Sequence, residues 1–478
     1  MNRYLRIKNM IQPPDWLDDI RSILILAIPL IISQCAQSGI LFIDTLLMGK
    51  LGPQALAAGA LAISAFYLCY ILSFGVISAA GNLVAIYHGA GRRRDIVSAI
   101  RCGLLLALLL SFGMGILLWN ITPLMLMLGQ PPDTVEMAQE FLYILVWGMP
   151  FGLLFLALRG FTAGIGKPGP IPFIMFSALI LSGSLGWILS KMMGICGIAI
   201  ASAITYGYMG IIFVVVLCLH PDYKRYPIFT RLTRKDLATM PELLKIGIPT
   251  AGTLGLENSL FNGCAWLMGA LGAITLAAHQ SLMQLVITGF TVPLGLMYAV
   301  SMRAGQASGA GNWHKVRNLS WIGNALILLW SSLAISILLL IPNELLSLFL
   351  PSDVNQATEA KNIALMLVPF AALLCLLDGW QTMVCGLLRA LKDAQVTVII
   401  SGVSYWGIGL PIAWWLSQYS LGPAGVWWGM CTGLFIACLV MQIRLRMLLR
   451  HQKTTFSATA KCPASRATAS LPTAGHDC

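Results

Sequence analysis

Apolar stretches of about 20 residues or more recur along this chain from residue 23 to residue 446, each long enough to cross a hydrocarbon layer of about 30 Å at 1.5 Å per residue. In lipid the backbone must satisfy its own hydrogen bonds, and runs of this length do so as helices. Composition agrees, with 58% hydrophobic and 10% charged residues and a mean hydropathy of +0.81. A typical globular chain is about 25% charged. The 46 glycines and 23 prolines show no triplet period, so collagen-like and disordered classes are excluded as well. The first 20 residues are polar and mixed in charge, and the apolar run after them is about 25 residues long. It is expected to be a first membrane helix, with no cleaved leader.

Approximate spans at 23–47, 56–80, 99–119, 138–158, 171–190, 195–219, 243–268, 277–300, 319–342, 361–388, 396–416 and 424–446 give twelve helices. The net charge of +12 then resolves into topology. Of the 30 Lys and Arg, 27 fall on alternate flanks, leaving Lys50, Lys191 and Lys361 for the opposite side. The positive-inside rule reads this as both termini cytoplasmic, in the cell's inner membrane. Basic residues spread over seven short segments, with no stacking platform between them, exclude a nucleic-acid partner; the lipid bilayer is the partner expected. The expected organisation is a cytoplasmic segment 1–22, a first lobe 23–219, a loop 220–242, a second lobe 243–446 and a disordered tail 447–478 rich in Ala, Ser, Thr and Pro. The 12 cysteines lie mostly inside apolar spans without C-x-x-C spacing and read as small core residues, not as disulfides or metal ligands.

An internal repeat organises the chain. Residues 28–58 laid over 248–278 without a gap are identical at 10 of 31 positions, including Pro29 with Pro249 and Leu47, Met48, Gly49 with Leu267, Met268, Gly269. The same offset pairs Gly89, Ala90, Gly91 with Gly309, Ala310, Gly311. Six is even, so both halves enter from one side and the repeat is parallel, related by an axis along the membrane normal. The fold class expected is an all-α polytopic membrane protein of twelve transmembrane helices in two parallel-repeat six-helix lobes. Such halves typically enclose a central cleft with midplane sites.

Of the 18 Asp and Glu, 15 fall in loops, tails or helix ends and three do not: Asp44, Glu257 and Asp378. An ionised side chain near the bilayer centre costs at least ~2.5–3.5 kcal/mol, so it is normally aimed at a cavity, a partner or a coupling ion. Such a carboxylate can exchange a proton or, with nearby oxygens, hold a hard cation such as Na⁺, for which Glu257 and Asp378 are the candidate ligands. The plainer alternative is pairing with a basic residue, which for Asp44 means Lys50 near the same helix end. Under the repeat Glu257 superposes on Gln37 and Asp44 on Cys264, so the two halves hold their acids at different depths.

Polar neighbours suit a lined cavity. Gln34, Gln37 and Asp44 share one face of the first helix; Glu257 and Phe261 are four apart on the seventh, beside Asn258 and Asn262; Gln280 and Gln284 repeat that spacing on the eighth. Interhelical hydrogen bonding is an equally open reading of these amides. The 22 methionines and 44 aromatics (14 Trp, 12 Tyr and 18 Phe) suit an adaptable, cation-attracting pocket, although lipid or core packing explains most of them. No H-x-x-x-H pair and no G-x-x-x-x-G-K-[ST] loop occurs, so a zinc centre and ATP-driven transport are disfavoured, no cofactor is expected, and the energy source would be an ion gradient.

Several motifs together resemble the multidrug and toxic compound extrusion (MATE) transporters, NorM-like branch. These are F-I-D-T-L-L-M-G at 42–49, L-R-G-F at 158–161, E-N-S-L-F at 257–261, L-A-A-H-Q at 276–280, R-A-G-Q-A-S-G-A-G at 303–311, L-L-R-A-L-K-D at 387–393 and S-Y-W-G-I-G-L-P at 404–411. The resemblance implies a V-shaped bundle that exports cationic, often aromatic compounds in exchange for Na⁺ or H⁺. It matches Asp44, Glu257 and Asp378 to the family's acids on helices 1, 7 and 10, the latter two tied to its cation site. Where that branch carries two helix 5 asparagines this chain has Ser182 and Gly186, and Leu374 replaces a tyrosine before Asp378. The function expected is a monomeric secondary antiporter, not an enzyme, exporting cationic or amphipathic small molecules by alternating access of its lobes. Export or flipping of a metabolite or lipid-linked substrate is the alternative.

Overall fold

The computed structural model describes residues 15–231, 233–349, 355–419 and 421–460. Lys461, Arg466 and the basic residues before Asp15 lie outside them. The first lobe runs through α1 (Asp15–Leu51), α2 (Pro53–Gly89), α3 (Arg93–Trp119) and α4 (Pro132–Gly164). It closes with α5 and α6, the two arms of Pro170–Leu219. The second lobe comprises α7 (Met240–Ala270), α8 (Ala273–Gly309), α9 (Trp313–Leu340), α10 (Asn355–Ala390), α11 (Ala394–Tyr419) and α12 (Pro423–Ala460).

Among the described residues, ten helices are long and apolar enough to cross a membrane by themselves. Two further passes complete the twelve. Pro170–Leu219 holds 50 residues and bends at Gly194, whose φ of 61° only glycine adopts without strain, so it makes two passes as α5 and α6. The other is α7, whose apolar character is diluted by Lys245, Glu257, Asn258 and Asn262. The helices outrun the apolar spans by one or more turns. The 220–242 connection carries short helices at Pro221–Lys224 and Arg234–Leu237, and α12 continues through 447–460, where a disordered tail is expected from the sequence; 461–478 lie outside the described residues.

The repeat is visible in the backbone itself. Proline interrupts α1 at Pro29 and α7 at Pro249, Gly52 and Gly272 turn the chain at φ 116° and 129°, and short helices follow α3 and α9 at Thr122–Met127 and Pro342–Ser347. Large apolar side chains such as Phe173 and Trp266 face outward, as a lipid-embedded surface requires.

The lobes meet through small residues on the halves of α1, α2, α7 and α8 nearest the face that carries the loop arginines and lysines, here termed the basic face. Lipid supplies no hydrophobic drive between helices, so close backbone approach supplies the packing. A Cβ on Gly75 would lie 2.4 Å from Ala251 Cα, and one on the repeat-related Gly295 2.4 Å from Ile31. At the end of the same helices Gly89 and Gly309 cross, each in van der Waals contact with the other helix's backbone. Polar links reinforce this end: Gln306 donates to the Gly164 carbonyl at 2.7 Å, Arg303 to the Ser22 carbonyl at 3.3 Å, and Lys315 pairs with Asp19 at 3.2 Å. Among the described residues, no hydrogen bond, ion pair or glycine close approach joins the lobes across the outer halves of these helices. The polar links and glycine crossings that join the lobes thus gather toward the basic face.

Candidate functional site

In the first lobe Asp44 is 7% exposed and accepts hydrogen bonds from Ser202 Oγ of α6 at 2.9 Å and Ser182 Oγ of α5 at 3.5 Å. No ion pair joins it to Lys50; Lys191, on the same outer side, instead lies 3.6 Å above the Trp187 ring. Ser182 thus does part of what an amide would, and Ser202, which no sequence pattern singles out, does the larger part. Tyr206, one turn beyond Ser202, stacks loosely with Phe66 and Tyr70 at 6.0 Å each.

The second lobe differs. Glu257 of α7 and Asp378 of α10, 121 residues apart, lie within electrostatic reach of each other. Asp378 Oδ1 is buried without a hydrogen-bond partner, while Gln381 lies within hydrogen-bond reach of Glu257 and Ser401 within that of Tyr405, which is in turn within electrostatic reach of both acids. A buried polar atom left unsatisfied costs about 1–3 kcal/mol, so the free Asp378 oxygen is suited to a partner that the surrounding side chains do not provide. A narrow cavity bordered by Asp378, Phe290, Pro293, Trp330 and Ser331 adjoins it. The local backbone has a cause in sequence. Pro411 offers no N–H and crowds the carbonyl one turn back, and α11 relaxes into a wide π-helical stretch at Gly402–Gly409 that carries Ser404 and Tyr405.

The remaining predicted lining residues divide. Gln34 accepts from Arg159 Nη1 at 2.9 Å. Gln37 is half-buried, and Asn258 is held by Asn262, whose Nδ2 donates to its Oδ1 at 2.9 Å. Phe261 packs against the core of the second lobe, the plainer of its two readings, while Gln280 and Gln284 are exposed on α8.

Two arginines placed at the membrane flank by their position in sequence are instead inside the protein. Arg159 is 6% and Arg389 5% exposed, because α4 and α10 run past the apolar spans and carry them into the seam between the lobes. Arg389 acts electrostatically on Glu257. The signal in the sequence is L-R-G at 158–160 and L-R-A at 388–390, the same dipeptide near the end of the fourth span of each half.

Where water reaches the basic face, carboxylates are latched. Glu242 accepts from Tyr87 of α2 at 2.7 Å and from Lys392 at 2.5 Å, which ties the lobes together. Partial burial works to raise its pKa, but the hydrogen bonds from Lys392 and Tyr87 outweigh that and hold it below the usual carboxylate range. Lys392 is aimed by a left-handed backbone at φ 63°, the residue that closes the end of α10. Asp236 is likewise held low: burial opposes its ionised form, but Ser98, Thr233 and Arg101 all donate to it.

Among the described residues no three His, Cys, Asp or Glu cluster as a metal centre, and ten cysteines are free.

The MatE family model matches residues 29–188 and 249–415, one stretch in each lobe. A protein named "Probable multidrug resistance protein NorM" from Pseudomonas aeruginosa is 35% identical over 449 residues, covering 92% of this chain and 92% of that relative. The protein of the same name from Pseudomonas syringae pv. tomato is 37% identical over 441 residues, 90% of this chain and 95% of its own. Among solved structures, the eukaryotic MATE transporter AtDTX14 superposes with a TM-score of 0.84 at 19% identity, over 92% of this chain and all of that one. A multidrug resistance MATE family transporter of the MOP superfamily in an outward-facing conformation superposes with a TM-score of 0.83 at 20% identity, over 91% of this chain and 97% of its own. At these identities the structures speak for the fold.

Proposed function

We propose, on the premise that this chain belongs to the MatE family, that it exports cationic or amphipathic small molecules from the cell in exchange for Na⁺ or H⁺. Membership makes it a multi-pass membrane transporter of the NorM multidrug-efflux type and not an enzyme; the coupling and its residues are the proposal. The chain acts as a monomer in the inner membrane, with both termini cytoplasmic.

The observation that carries the reading is the contrast between the lobes. Asp44 is satisfied by two serines, whereas Glu257 and Asp378 lie within electrostatic reach of each other and Asp378 Oδ1 has no hydrogen-bond partner. A cation brings what that region lacks. A proton on one acid relieves the repulsion between them, and a sodium ion gathers the carboxylate, hydroxyl and amide oxygens. Asp44 is given the lesser part, shaping the polar wall of the first lobe with Gln34 and Gln37. The space between the outer halves, where Gln280 and Gln284 are exposed, is the substrate's route.

Lobe contacts gathered toward the basic face fit an outward-open state. Cation binding from outside favours the state that reopens inward and substrate binding favours the other, so each lowers the other's affinity by linkage. Glu257→Gln should abolish drug resistance conferred on a pump-deficient cell while the protein still inserts in the membrane; full resistance would remove Glu257 from the mechanism. In proteoliposomes, uphill efflux of ethidium under Na⁺ and pH gradients varied independently identifies the ion, and no uphill flux under either gradient would reject antiport.

A further inference from the structure

Two guanidinium groups, one from each lobe, border a single cavity at the seam. Its wall includes Ser78 and Asn82 of α2, Arg159 of α4, Tyr298 and Ser301 of α8 and Arg389 of α10. Both arginines are buried, and neither has a carboxylate within ion-pair distance among the described residues. Arg159 donates to the neutral Gln34 amide at 2.9 Å and lies 5.3 Å from the Tyr298 ring centre. Arg389 donates only to the Cys385 carbonyl of its own helix at 3.3 Å and approaches Met297 Sδ at 3.9 Å. Buried charges are normally paired, because an unpaired one forfeits its hydration for nothing. Glu257 can balance one guanidinium at most, and it touches neither.

We propose that this cavity is a binding site for one small inorganic anion of chloride size, held between Arg159 and Arg389. The cavity, about 40 Å³, accommodates a few water-sized particles. Its two guanidinium groups, with the Ser78 and Ser301 hydroxyls and the Asn82 amide beside them, suit a monatomic halide. Because its two cations come from different lobes, the anion is bound while the lobes are packed at the basic face and is released when they part there. It therefore stabilises the converged state in proportion to its concentration, as any ligand of one state does. Nothing in this site depends on which cation is exchanged.

The test uses the full-length protein in detergent at constant Na⁺ and constant ionic strength, with gluconate replaced stepwise by chloride or bromide. Thermal stability should rise saturably with halide, and bromide-soaked crystals should show one anomalous peak between Arg159 and Arg389. Arg389→Gln should lose the halide dependence, and Arg159→Lys, which keeps the charge but not the fork, should weaken it at least several-fold. An identical melting curve in gluconate and chloride, or a bromide peak elsewhere with none in the cavity, would overturn the proposal. Should either variant fail to fold, these wild-type measurements decide it alone, and Na⁺ or H⁺ coupling stands or falls separately on the Glu257→Gln result.

Discussion

Replacing Gly89 or Gly309 with alanine tests whether the packed seam is a rigid contact. A Cβ at Gly89 would lie 1.8 Å from the Gln306 carbonyl oxygen, and one at Gly309 1.9 Å from that of Ile86. Carbon and carbonyl oxygen approach to about 3.3 Å at closest, so each substitution is short of room by about 1.5 Å. The obstructing atom is backbone, so no rotamer change relieves it and α2 must move off α8. Overpacking of this kind costs about 1–3 kcal/mol, a shift of roughly 5-fold to 150-fold away from the packed arrangement. The two methyls open the same crossing, so once one has parted the helices the other costs less, and the double variant should lose less than the sum of the singles. Gly113→Ala is the control: nothing lies within 4 Å of the added carbon, and alanine is the better helix former by about 1 kcal/mol. Spin labels at Arg94 and Arg317, both exposed on the basic face, report the separation of the lobes in a cysteine-free background. Wild-type distance distributions and melting temperatures in both alanine variants would refute the reasoning.

Ser202→Ala removes the shorter of the two bonds to Asp44 and should destabilise the protein by about 1–3 kcal/mol, more than Ser182→Ala, whose bond is longer; thermal melts of the two variants rank them. The Glu242 carboxyl is held below its ordinary range, so its contribution is fully present above the ordinary carboxylate pKa and is lost as pH falls through the lowered one. Glu242 and Lys392 are each more than a third exposed, which limits this to about 1 kcal/mol or less. Lys392→Ala should therefore narrow the gap in melting temperature between neutral and acid pH, and an unchanged gap would count against the latch.

Much of this fold is written in one dimension. The residue pairs 52/272 and 89/309, found by sliding the chain over itself, return as matching turns and as the crossing that holds the lobes together. The kink at Gly194 falls in the short gap between two apolar spans, and α7, the least apolar pass, is found through its repeat partner. Side-chain partners were less legible. A serine at 202 looks like any small residue in a membrane helix until α6 folds against Asp44. Arg159 and Arg389 mislead for a physical reason: charge counting assigns a basic residue near a span end to water, but these helices outrun their apolar stretches and draw both groups inward. The acid pair was identifiable residue by residue. Its neighbours Gln381, Ser401 and Tyr405 were not, since which side chains gather around a buried acid is a property of packing alone.

The place where the lobes touch also sets the mechanical scale of any motion. With 37 residues, α2 is roughly 55 Å long and is pinned at its Gly89 end. A lobe swinging about that pin moves its far tip by roughly 1 Å for each degree, so a rotation too small to disturb the core of either lobe widens or narrows the outer mouth by the width of a bond or more. The glycine crossing is the fulcrum of a long lever, and small steric changes there are read out, magnified, at the other side of the membrane.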